Sequence, residues 1–166
     1  MMPKVASLLV LLGLAAGLAH AQLAASDPDW TESSVPPPPA YDLARLLPFE
    51  VPGGSTLRFG IDPNTITITA EGLVRYVVVA SSGSGAINAM YEAIRCSTGE
   101  FKTYARRTAN SEWNLLAEPT WRSMQESQHT RYAFRLAQQG ICTGRSATSS
   151  VGAMVRNLKS PPPNNH

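Results

Sequence analysis

The chain has 166 residues, 16% of them charged, with 14 lysines and arginines against 12 aspartates and glutamates and only two cysteines. A formal net charge of +2 lacks the dense positive surface of a nucleic-acid binder, so no nucleic-acid partner is expected. The length supports one domain with accessory segments, and the charge is uneven: seven acids face three bases over residues 22–80, and five acids face ten bases over residues 81–166.

Residues 1–21 read as a secretory signal. Lys4 supplies the positive start, residues 5–19 are apolar but short for a membrane span, and Ala19, His20 and Ala21 form a small-x-small cleavage site. The mature chain then begins at Gln22, keeps no transmembrane span, and is expected in the periplasm of a Gram-negative envelope or beyond it. In that oxidising compartment Cys96 and Cys142 are expected as a disulfide rather than a metal site or a nucleophile.

Residues 22–41 form a proline-rich linker. Pro36, Pro37, Pro38 and Pro39 favour an extended polyproline II spacer, read as a tether rather than as a ligand for a proline-recognition groove. Trp30 and Tyr41 flank the prolines and are candidates for contact with the domain surface.

The domain is expected over residues 42–145. Asp42 suits the N-cap of a helical turn that Pro48 ends. Residues 57–61 form a short strand, and Asp62, Pro63 and Asn64 a turn. Residues 65–69, Thr-Ile-Thr-Ile-Thr, alternate as a half-buried strand with Ile66 and Ile68 on one face. Residues 73–80 are apolar on both faces except at Arg75, which places them mid-sheet. Residues 86–96 and 101–107 supply two further strands. The short connections between these runs predict an antiparallel meander. A helix is predicted over residues 127–139, its stripe marked by Ala133, Phe134, Leu136 and Ala137, with Gly140 as its C′ residue. Residues 146–166 add a second helix, capped by Ser149 or Ser150 with the stripe Val151, Met154, Val155 and Leu158, and then a disordered tail from Pro161. The fold class is therefore α+β, an antiparallel sheet of about five strands covered by one or two C-terminal helices.

Catalytic constellations are sparse. Ser82, Gly83, Ser84 and Gly85 superficially resemble a phosphate loop but lack its Gly-Lys-Ser ending, so they read as a connector. Glu92, among Met90, Tyr91 and Ile94, reads as a structural ion-pair partner of an arginine, and with His129 it forms the one candidate hydrolytic pair. No zinc or calcium spacing occurs, so no metal and no cofactor is expected. Arg95, Lys102, Arg106 and Arg107 form a cationic cluster. It reads as a solvated strand face or as a binding face for lipid headgroups, polysaccharide or an acidic envelope protein.

The run Gly72, Leu73, Val74, Arg75, Tyr76, Val77, Val78, Val79, then Ser84, Gly85, Ala86, then Tyr91, Glu92, Ala93, Ile94, Arg95, Cys96, then Glu100, Lys102, Tyr104 and Ala105 resembles the cryptic neisserial protein-like family of exported proteobacterial proteins. Trp113, Trp121, His129 and Cys142 follow in that family's order. The likeness spans roughly residues 47–142, and the Tyr-Glu-x-Ile-Arg-Cys block is its most specific part. It implies export and a small domain of uncharacterised function, and carries over no catalytic residues. The resulting expectation is an envelope protein acting as a non-enzymatic interaction or structural module. The alternatives are an envelope hydrolase using Glu92 and His129, or a small-ligand carrier with a pocket between sheet and helix.

Overall fold

The computed structural model describes residues 29–53 and 55–160; the expected leader at residues 1–21 and the tail beyond Ser160 lie outside them. The fold is α+β, with a wider sheet than the alternation alone indicates. β1 (Leu47–Phe49), β2 (Arg58–Ile61), β3 (Thr67–Ile68), β4 (Leu73–Ser81), β5 (Ile87–Arg95), β6 (Glu100–Thr108), β7 (Asn114–Leu115) and β8 (Arg122–Ser123) build one antiparallel sheet. Its order is β1-β2-β4-β5-β6-β7, with β3 pairing to β4 and β8 to β6. Three nine-residue strands, β4, β5 and β6, form the meander the short turns predict. Gly85 closes the β4–β5 turn at φ 86° and Gly99 the β5–β6 turn at φ 71°, a region in which a side chain would be strained.

The alternating run at residues 65–69 is not one strand. Asp62 caps a 3-10 turn, Pro63–Thr65, and only Thr67–Ile68 pairs in the sheet. Pro63 cannot donate to a ladder, so the edge breaks there. Thr65 repairs the gap: its hydroxyl oxygen accepts the Val77 amide at 2.9 Å. Ile66 turns into the core and Ile68 is exposed, so the two do not share a buried face.

One face of the sheet is covered by the C-terminal elements. A 3-10 turn, Gln128–Thr130, leads into α1 (Arg131–Leu136), then a wide π turn, Ala137–Ile141. β9 (Cys142–Thr143) and β10 (Ser146–Ala147) form a small hairpin before α2 (Val151–Lys159). The predicted 127–139 helix is thus only six residues of α-helix between two irregular turns. Gly140 lies within the wide turn rather than after the helix, at an extended φ of 173°. Its role is close approach, because a Cβ there would stand 3.0 Å from both Met154 O and Leu158 Cγ on α2. Ser150 caps α2 by accepting the Ala153 amide, as its position suggests. Met154 and Leu158 are buried against the core, and Val151 and Val155 pack at its margin. Ile61, Tyr76, Leu136, Ile141 and Met154 are fully buried in this layer, each side chain adding about 1.5–3 kcal/mol of apolar burial. Tyr132 of α1 stacks on Phe59 at 5.0 Å and meets the edge of Phe101 at 6.0 Å.

A β-bulge decides which residues look which way. On β5 and β6, Tyr91 faces Ala105 but Glu92 faces Thr103, so Tyr104 is the extra residue. Its carbonyl, turned out of the ladder, accepts the Leu116 amide at 2.8 Å.

Candidate functional site

The second face of the sheet has an apolar floor of Val77, Val79, Ala89, Tyr91, Ala93, Tyr104 and Ala105. Over this floor runs the N-terminal arm, residues 29–41, the segment expected as a linker. Its described part is docked. Trp30 lies under the Arg95 guanidinium at 3.7 Å and meets Trp121 edge-on at 5.9 Å. Glu32 takes the Lys102 ammonium at 2.5 Å on one oxygen and the Tyr104 hydroxyl at 2.6 Å on the other. Lys102 also stands 4.6 Å over the Trp121 ring. Tyr41 packs on Trp113 at 6.0 Å and under Arg107 at 5.8 Å.

The arm's backbone is held as well. Arg75 donates to the Ser33 carbonyl at 2.8 Å and to the Ser34 carbonyl at 3.2 Å, and Glu71 accepts the Ser33 amide at 2.9 Å and hydroxyl at 2.6 Å. Burial pushes the Glu71 carboxyl up, but the Ser33 hydroxyl and amide, its own amide and Thr69 outweigh this and bring it down to about 2. Burial and the neighbouring Glu32 carboxylate push the Tyr104 phenol well up. Where the arm joins the domain, the buried Asp62 accepts the Asp42 amide at 2.8 Å and the Arg45 guanidinium at 3.0 Å. Burial raises the Asp62 carboxyl, yet Arg45 and the Asp42 and Asn64 amides hold it below its ordinary range.

On the helix-covered face, Glu92 is fully buried, and its neighbours are hydroxyls rather than an arginine. Tyr132 donates at 2.6 Å and Thr103 at 2.7 Å to Oε1, and Tyr76 at 3.3 Å to Oε2. This corrects the expected arginine ion pair: Arg95 points to the opposite face, onto Trp30. Burial pushes the carboxyl up; the hydroxyls and the more distant Arg106 charge offset that only in part.

The structure separates the sequence-derived candidates. Arg95, Lys102 and Arg107 lie together on the second face, under the arm, with Arg75 as an unanticipated fourth cation. Arg106 does not join them. After the bulge it pairs with Met90 of the helix-side core, and it shares with Arg107 only the lining of a surface depression of about 440 Å³ at the end of β6, beside Met90, Glu112 and Asn114. His129 is exposed in a different depression with Val51, Gly53 and Arg131, while Glu92 is sealed beneath Tyr132. Among the described residues no cluster of His, Cys, Asp or Glu fits a metal ion. Cys96 and Cys142 are bonded, joining the end of β5 to β9 beyond the wide turn. Sequence reasoning missed Glu32, Ser33, Glu71 and Arg75. The available signal was the lone arginine in an otherwise apolar central strand.

Sheet, helices and arm define a disulfide-pinned α+β module whose sheet is covered on both faces. The chain belongs to the CNP1-like family, whose sequence profile matches residues 25–159. No curated protein and no solved structure matches the chain. Among the described residues no helix is long and apolar enough to cross a membrane.

Proposed function

We propose that this protein is an exported component of the bacterial envelope that acts by binding a partner rather than by catalysis. The observation that carries the reading is the Cys96–Cys142 bond. It uses both cysteines of a chain whose first 21 residues have the pattern of a secretory leader, and such bonds persist in oxidising compartments. Binding is favoured over hydrolysis by the state of the one candidate acid. Glu92 is engaged by three hydroxyls inside the core, and His129 faces solvent elsewhere. Cell fractionation with thiol labelling tests the reading. Export predicts a periplasmic chain beginning at Gln22 whose cysteines label only after reduction. A cytosolic chain with both thiols free overturns it.

A further inference from the structure

The arm on the second face is held in the manner of a bound peptide. Glu71 and Arg75 read its backbone amide and carbonyls, contacts that any extended chain can offer. Arg95 and Trp121 read an aromatic side chain, and Lys102 with Tyr104 reads a carboxylate two residues further on. Main-chain hydrogen bonds supplying affinity and spaced side-chain pockets supplying choice is the general logic of extended-peptide recognition.

Charge points the same way. Arg75, Arg95, Lys102 and Arg107 line the groove, against Glu71 as the groove's own acid. Among the described residues the Nε atoms of Arg75, Arg95 and Arg107 are buried with no hydrogen-bond partner, as is that of Arg135 on α1. A carboxylate-bearing occupant has the three groove-lining atoms as donors to pair with.

We infer that the second face of the sheet is a peptide-binding groove that its own arm closes in cis, and that it accepts in trans an extended acidic segment of a partner protein with an aromatic residue two positions before a carboxylate. This rests on the binding-module reading above and gives it a site and a ligand class. The cis arm competes at the high local concentration set by its short tether, so the intact chain binds a free segment weakly.

The test uses the oxidised chain from Gln22 and a fluorescein-labelled peptide with the sequence of residues 27–36, followed by fluorescence polarisation. Trp30→Ala with Glu32→Ala vacates the anchor positions. The double variant is expected to bind the peptide at least about tenfold more tightly than the unaltered chain. A peptide carrying Trp30→Ala and Glu32→Gln is expected to lose that binding, and Lys102→Met in the vacated chain to weaken it several-fold. If the double variant does not fold, Glu32→Gln alone replaces it, with an expected gain of about threefold over the unaltered chain. No peptide binding to a folded, vacated chain overturns the groove, while a periplasmic, disulfide-bonded chain leaves the envelope reading standing. A concentration-dependent dimer of the unaltered chain that vanishes in the double variant gives the groove to a second copy and overturns the partner assignment.

Discussion

Tyr132 Oη donates to Glu92 Oε1 at 2.6 Å with both side chains buried, so one hydrogen bond ties the first turn of α1 to the middle strand of the sheet. The bond is shared with Thr103, and the carboxyl sits at a raised pKa because burial disfavours its charge. Tyr132→Phe removes one donor and leaves a buried acceptor underserved, at an expected cost of about 1–3 kcal/mol in urea unfolding at neutral pH. The folded state binds the Glu92 proton more tightly than the unfolded state does. This group's contribution to stability is therefore fully present on the acid side, below the ordinary carboxyl value, and declines as pH rises through the raised folded value. Glu92→Gln is expected to remove that decline, which unfolding curves taken across the pH range would show as a flatter profile.

The Cys96–Cys142 bond spans a sequence separation of 46 residues and fastens β9 to the strand beneath α1. The chain-entropy treatment gives a loop of that length about 4 kcal/mol, an upper figure. The double substitution Cys96→Ala, Cys142→Ala is expected to lower the melting temperature by about 10 °C. Unchanged melting would mean that packing alone fixes β9.

Gly140→Ala tests the contact between the wide turn and α2. The new Cβ would press on Met154 O and Leu158 Cγ at 3.0 Å and on Asn157 Cβ at 3.2 Å. The expected cost is about 1–3 kcal/mol, with α2 displaced, read by denaturation and by faster amide exchange in α2.

Acid is expected to release the arm before it unfolds the core. Glu71 is held at about 2 against an ordinary value near 4.5, so its contribution is complete above 4.5 and fades as pH falls between these values. Tryptophan fluorescence, dominated by rings on the arm-covered face, should change in that window. Glu71→Gln should abolish the pH-dependent part.

The meander was legible because β4 is apolar on both faces and its neighbours are joined by turns of a few residues. The α2 stripe and the Ser150 cap were legible because helical spacing and capping are local. The strand at residues 65–69 misled because its alternation begins at Thr65, the last residue of the 3-10 turn that starts at Pro63, so the turn takes the first residues of the run out of the ladder. The cationic cluster divided because the extra residue at Tyr104 reverses the alternation of β6, and a bulge leaves no mark in a hydrophobic pattern. The docked arm was hidden most fully. Its composition is that of a tether, and its anchors on the sheet, Arg75, Lys102 and Tyr104, lie more than 40 residues away from their partners in sequence.

Native-state hydrogen exchange on the intact, oxidised chain tests the detachable arm most directly, by comparing the Ser33 amide, bonded to Glu71, with the Val78 amide in the central strand. The account predicts a protected Ser33 amide that opens at a free energy several kcal/mol below that of Val78, because the arm leaves while the sheet stays folded. Equal opening free energies would make the arm an inseparable part of the core and contradict the account, as would a Ser33 amide with no protection at all.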